Sequence, residues 1–225
     1  MSPDPPSPER PFLVSPKRRA RRSPDQIRER IYRVALRRIR ELEFDDTPVS
    51  GITREADVAK GTFFNHFPTK EHLLSRVLHE KMDRVFVRVI ERVGGTDAIA
   101  AALDDLALEL AGDPPLARAI VPRLPTLPPP TISRDGADEE SPPEGSERLR
   151  RWIRDRLAES LQVAVPLEEV DDQTLSVLLL ATFEVTLREW VSSAKGDPPF
   201  PRRLLHDRIA YLLVSAGFSR PPTPS

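Results

Sequence analysis

The chain contains no cysteine, so no disulfide staples it and no thiolate serves as nucleophile or metal ligand. Glycine is scarce, nine in 225 residues, and no glycine-rich loop is present to cradle a phosphate. The four histidines, His66, His72, His79 and His206, show no His-Glu-x-x-His spacing that would seat a metal on one helix face. No metal ion, cofactor or catalytic residue is therefore expected, and acid pairs such as Glu168-Glu169 read as helix-start decoration. Long apolar runs are missing as well. A run such as 177–181 falls far short of the roughly 20 residues that a bilayer span needs. Acids and prolines occupy the first positions in place of a basic segment followed by an apolar one, so no signal peptide is expected. These absences point to a cytoplasmic protein without enzymatic machinery.

Proline, by contrast, is abundant: 25 residues, most of them clustered at 3–16, 114–143, 198–201 and 221–224, and excluded from the long apolar segments. That distribution predicts helices joined by stiff connectors. Charge is unevenly spread. Residues 1–81 hold 17 basic and 12 acidic side chains, and residues 17–40 alone hold 11 basic to 2 acidic. A basic end on an acidic body suits a polyanionic partner at the N-terminus, or else a solvated face.

Along the chain, apolar residues recur at helical spacing and no strand-like alternation appears, which predicts an all-α fold. Residues 1–22 read as a Pro/Ser-rich tail ending in a basic arm, Lys17-Arg18-Arg19-Ala20-Arg21-Arg22. Ser23-Pro24 then opens a helix through about 42. Thr47-Pro48 repeats the cap-then-proline signal before a short helix to Ala56, and Asp57-Val58-Ala59 makes a turn. A second short helix covers 60–66 and a long one runs from about 70 to 93. Further helices are expected over 97–111, 116–121, 147–163, 171–195 and 202–217, with a flexible loop over about 124–146 and a tail over 218–225.

Two short helices behind a longer supporting helix, joined by a three-residue turn, form a unit able to place the second helix in a DNA major groove. Here that second helix offers Gly61 for close approach, Thr62 for base edges, and Asn65 and His66 as polar tips. Lys70 adds a charge for a phosphate. The run from Thr47 to Glu71 resembles the helix-turn-helix signature of the TetR family, T-x-V-x-x-I-A-x-x-A-G-V-S-x-G-T-x-Y-x-H-F-x-x-K-E. It matches at Thr47, Val49, Ile52, Ala56, Val58, Gly61, Thr62, His66, Phe67, Lys70 and Glu71. Three positions depart from it. Asp57 replaces the turn glycine, Ala59 the capping serine, and Phe64 the tyrosine that commonly meets a phosphate.

The resemblance implies a helix-turn-helix DNA-binding domain at 23–69, its motif near 48–67, and a helical ligand-binding and dimerisation domain at 70–217. It implies a dimeric repressor that leaves a palindromic double-stranded operator when a small-molecule effector binds. The expected DNA contacts are Thr47, Val49, Ser50, Lys60, Gly61, Thr62, Phe63, Phe64, Asn65, His66 and Lys70, with Arg18, Arg19, Arg21 and Arg22 of the arm. Phe86, Trp152, Phe183 and Trp190 are candidates to line an effector pocket, and each is also a candidate plain core residue. Leu175, Leu179, Phe183, Thr186, Trp190, Leu205, Ile209 and Leu212 stripe two helices that would form a homodimer interface, unless those stripes are intramolecular core. The rival reading is a helical protein-interaction module whose DNA binding has degenerated at Asp57, Ala59 and Phe64.

Overall fold

A computed structural model describes residues 23–90, 93–129, 145–161, 171–193 and 199–223. Every regular element among these residues is helical. In chain order they are α1 (Pro24–Leu42), α2 (Val49–Ala56), α3 (Lys60–His66), α4 (Glu71–Ile90), α5 (Gly95–Ala111) and α6 (Pro114–Ile120). A 3-10 segment η1 (Val121–Thr126) follows, then α7 (Gly145–Leu161), α8 (Asp172–Ser193) and α9 (Arg202–Ser215).

The Ser23-Pro24 signal works as expected. The Ser23 side chain accepts from the Gln26 N–H, the Gln26 side chain accepts from the Ser23 N–H, and Pro24 fills the first turn. The second signal works differently. Thr47 does not cap α2; Pro48 holds the cap position without a side-chain bond. The Thr47 hydroxyl instead donates backwards to the Glu43 carbonyl at 2.6 Å. It thereby ties the connector to the end of α1.

α1, α2 and α3 close over a shared core of Ile31, Ala35, Ile39, Ile52, Ala56, Phe63 and Phe67. In the body, α5 is buried on nearly every side, and it touches α4, α6, α7 and α9. A helix covered on most of its surface belongs at the centre of its domain. α8 packs against both α7 and α9. Asp104, a buried charge on α5, is held by the Arg202 guanidinium at 2.6 Å.

The flexible loop expected from 124 needs correction at its start. Residues 121–126 form η1, in which Val121 and Leu124 are buried. Proline tolerates a short 3-10 segment because few of its N–H groups would be bonded there in any case. Residues 130–144 of that expected loop, and the arm and tail at 1–22, lie outside the described residues.

Candidate nucleic-acid interface

The turn between α2 and α3 is built on Asp57, which takes the left-handed conformation at φ 53° and ψ 52°. Its N–H donates to the Arg54 carbonyl, and the Val58 N–H donates to that of Thr53 at 3.0 Å. This paired closure is the usual end of a helix that stops on a glycine. Aspartate tolerates the conformation better than most side chains, so the angle between the short helices survives the replacement. Ala59 then occupies the cap of α3 with no side-chain bond, leaving the first N–H groups of α3 without that partner.

Behind the turn, Phe63 and Phe67 pack with ring centroids 5.9 Å apart, and Tyr32 of α1 stacks on Phe67 at 6.5 Å. These rings set which face of α3 looks outward. That face carries Lys60, Gly61, Phe64 and Asn65, all exposed, with Thr62 and His66 half-buried beside them. On α2, Ser50 is exposed and Val49 half-buried. A Cβ added at Gly61 would meet nothing within 4 Å. No intramolecular contact therefore demands glycine there, although glycine weakens a helix by about 0.5–1 kcal/mol relative to alanine. His66 sits below the usual imidazole range, first because of burial and then because of the nearby Arg28 guanidinium, so it faces outward neutral at pH 7.

Several expected contacts sit elsewhere. Thr47 and Phe63 are fully buried, so they support the reading helix from behind and cannot touch a duplex directly. Lys70 is turned inward. Its ammonium donates to the carbonyls of Phe44 at 2.6 Å and Thr47 at 3.2 Å and lies 4.1 Å from the Phe44 ring centroid. It clamps the α1–α2 connector to the start of α4, and burial lowers its pKa. Arg18, Arg19, Arg21 and Arg22 lie outside the described residues. One surface cation was missed from the sequence. Arg54 is exposed on α2, four residues after Ser50 and so on the same face. The Ser50–Arg54 spacing was the available signal.

The body also rearranges expectations. Of the four candidate pocket aromatics, only Phe183 lines the small cavity bounded by Leu78, Met82, Leu106, Leu124, Leu149, Leu180 and Glu184. Phe86 and Trp152 stack on one another at 4.7 Å, and Trp190 meets Phe200 edge-on at 5.6 Å. Burial raises the Glu184 carboxyl above its ordinary range. The expected dimer stripe is largely intramolecular: Leu175, Leu179, Phe183, Thr186, Trp190, Leu205 and Ile209 are buried within the chain, and Leu212 is half-buried. The reason is rotational. Both helices carry apolar residues on two faces, and the outer one bears Leu178, Val185, Leu204, Tyr211 and Val214. Leu178, Val185, Tyr211 and Leu212 border an apolar groove between α8 and α9.

Residues 31–77 match the family model described as bacterial regulatory proteins, tetR family. The uncharacterized HTH-type transcriptional regulator YuxN of Bacillus subtilis (strain 168) is 33% identical over 60 residues, which are 27% of this chain and 21% of that protein. The match therefore spans well under two thirds of that relative's length. The fold extends further. A TetR transcriptional regulator from Rhodococcus sp. RHA1 superposes with a TM-score of 0.59 at 22% identity, over 85% of this chain and 98% of that one. Thermus thermophilus FadR, a TetR family transcriptional repressor in complex with lauroyl-CoA, gives 0.59 at 21% identity over 88% and 99%. Bacillus subtilis FadR in complex with stearoyl-CoA gives 0.58 at 22% over 82% and 96%. Residues 31–77 thus match the tetR family of bacterial regulatory proteins, and the helical body that follows them shares the fold of the solved TetR regulators.

Proposed function

We propose that the chain is a dimeric, sequence-specific DNA-binding repressor that a small-molecule effector releases from a palindromic operator. The observation that carries this reading is the outward face of α3. It offers Lys60, Gly61, Phe64 and Asn65 on a rigid aromatic base, with a glycine that the fold itself does not require. A side chain missing where nothing inside the protein would be hit suits close approach by an outside surface, here the edges of a duplex groove. One short helix reads few base pairs, so two copies are needed, with half-sites about 34 Å or a multiple apart. The exposed apolar strip of α8 and α9 supports pairing through Leu178, Val185 and Tyr211. The cavity among α4, α5, η1, α7 and α8 holds only about 10 Å³, so an effector would enter by parting its walls, which among the described residues are apolar apart from Glu184. Two of the similar structures hold stearoyl-CoA and lauroyl-CoA, and an apolar chain of that kind is the class of occupant that such walls would meet on parting.

The test is selection of duplexes from a random-sequence pool, followed by binding at several salt concentrations. The expected result is an inverted repeat bound with a steep salt slope. Failure to retain any duplex at low salt favours a protein-interaction module instead.

A further inference from the structure

Phe64 is the odd side chain on the outward face of α3. It is 39% exposed, while Phe63 and Phe67 are fully buried and fill the core behind it. A single exposed apolar residue is common on protein surfaces and says little by itself. Its setting here says more. The Phe64 ring stands nearly perpendicular to that of Phe63, at 86° with centroids 5.3 Å apart, and the Lys60 ammonium lies 5.9 Å from its centroid. Those two neighbours hold the ring in place, so it has little rotamer freedom left to lose on binding.

Helical spacing supplies the rest of its surroundings. Lys60 and Gly61 lie four and three residues before Phe64, so the three share one face of α3. At Gly61 a Cβ would meet nothing within 4 Å, so the ring borders a gap in the side-chain layer. A groove edge can come close to the ring through that gap. Thr62, two residues from Phe64, points more than half a turn away around the helix and is half-buried.

A phenyl ring carries no hydrogen-bond donor and no strong acceptor. It cannot bond a phosphate oxygen, and it cannot sort base edges by their donors and acceptors. The base-specific feature of the major groove that it can recognise is the C5-methyl of thymine, an apolar group that the other three bases lack.

We propose that Phe64 is a specificity-determining residue that reads a thymine methyl in each half-site, with the gap at Gly61 letting the ring reach it. The proposal rests on the DNA-binding reading given above and adds one feature of the ligand. Each half-site carries an A·T pair against Phe64, and that pair is recognised through its methyl group instead of through a hydrogen bond.

The experiment uses the full chain and a duplex that the wild-type protein has selected from a random pool. Each thymine of one half-site is replaced in turn by deoxyuridine, which removes the methyl and keeps the base pairing. One position is expected at which the replacement lowers affinity about fourfold, the effect of returning one methyl-sized group to water. Phe64→Ala is expected to bind the parent duplex more weakly and to bind the parent and that deoxyuridine duplex equally well. Its helical circular dichroism and salt slope should match the wild type, since no phosphate contact is lost. A selected half-site without a fixed thymine overturns the proposal, and so does a wild type indifferent to every replacement. Phe64→Ala that keeps the wild-type sensitivity also overturns it, because the methyl then belongs to another side chain such as Thr62. If Phe64→Ala does not fold, Phe64→Gln is read in the same way, and the deoxyuridine scan of the wild type needs no variant. Should the wild type select no duplex at all, the DNA-binding reading itself fails, a result distinct from a duplex bound without regard to its methyls.

Discussion

The Lys70 ammonium donates to the Phe44 carbonyl at 2.6 Å, across 26 positions of sequence. A lysine at the start of a helix after a helix-turn-helix invites assignment as a phosphate ligand, yet its donors are spent inside the fold. We predict that role instead for Arg54, which is exposed on α2. The two residues should separate by salt dependence. Arg54→Gln is expected to lower the salt slope of duplex binding by about one, the signature of a lost phosphate contact. Lys70→Met is expected to leave the slope alone and to lower stability to urea by about 1 kcal/mol or more, because buried carbonyls lose their donor. A reduced slope in Lys70→Met would return that lysine to the DNA surface.

Gly61 should show a trade between stability and binding. With open space around its missing Cβ, Gly61→Ala is expected to raise stability by about 0.5–1 kcal/mol through helix propensity. The same methyl stands where the groove would approach, so duplex affinity should fall. Unaltered affinity in a stabilised Gly61→Ala protein would mean that α3 does not approach DNA at that point.

The cap of α3 is the simplest site to improve. Ala59 has extended backbone geometry, φ −69° and ψ 151°, suited to a capping side chain it lacks. Ala59→Ser places an acceptor for the free N–H groups of Gly61 or Thr62 and is expected to add about 1 kcal/mol, read from the urea midpoint. No gain would show that these N–H groups are already satisfied in solution.

How much of this was visible in the sequence depended on the range of the forces involved. The capping box at Ser23 and Gln26 and the left-handed turn at Asp57 are local, and local chemistry reads directly from neighbouring residues. The order of helices was legible for the same reason, since apolar periodicity is a property of short windows. Legibility failed wherever a side chain had a choice of distant partners. Nothing near Lys70 in the sequence announces the Phe44 carbonyl, and nothing near Thr47 says that its hydroxyl turns back to Glu43 rather than forward to α2. The stripes of α8 and α9 failed differently. Both faces of these helices are apolar, so periodicity identifies the helices without saying which face the chain itself covers.

That ambiguity makes the outer face a direct test of pairing. Tyr211 is 73% exposed and borders the groove with Leu178 and Val185. Tyr211→Glu should leave the monomer's core intact, because no buried contact is lost, while placing a charge in any two-fold interface. The expected outcome in sedimentation is a shift from dimer to monomer, with loss of binding to an inverted repeat and retention of helical content. A dimer unmoved by Tyr211→Glu would mean that the copies pair through another surface.

Acid should destabilise the chain through its histidines. His66, His72 and His79 are all held below the usual imidazole range, in each case first by burial, with Arg28 acting further on His66 and Arg148 on His79. The unfolded chain then binds protons at these sites from about pH 6.5 downward, while the folded chain resists them until lower pH. Between those limits the unfolded state holds more protons, so stability rises with pH and is lost as pH falls through the window. The urea midpoint should drop between pH 7 and the folded values, and His79→Gln should flatten that drop, since Gln cannot charge. His79 is the informative choice because it lies on α4, away from the outward face of α3, and a changed acid profile there cannot be ascribed to DNA contact. A midpoint indifferent to pH over this interval would show that the three imidazoles titrate as freely in the folded chain as in the unfolded one.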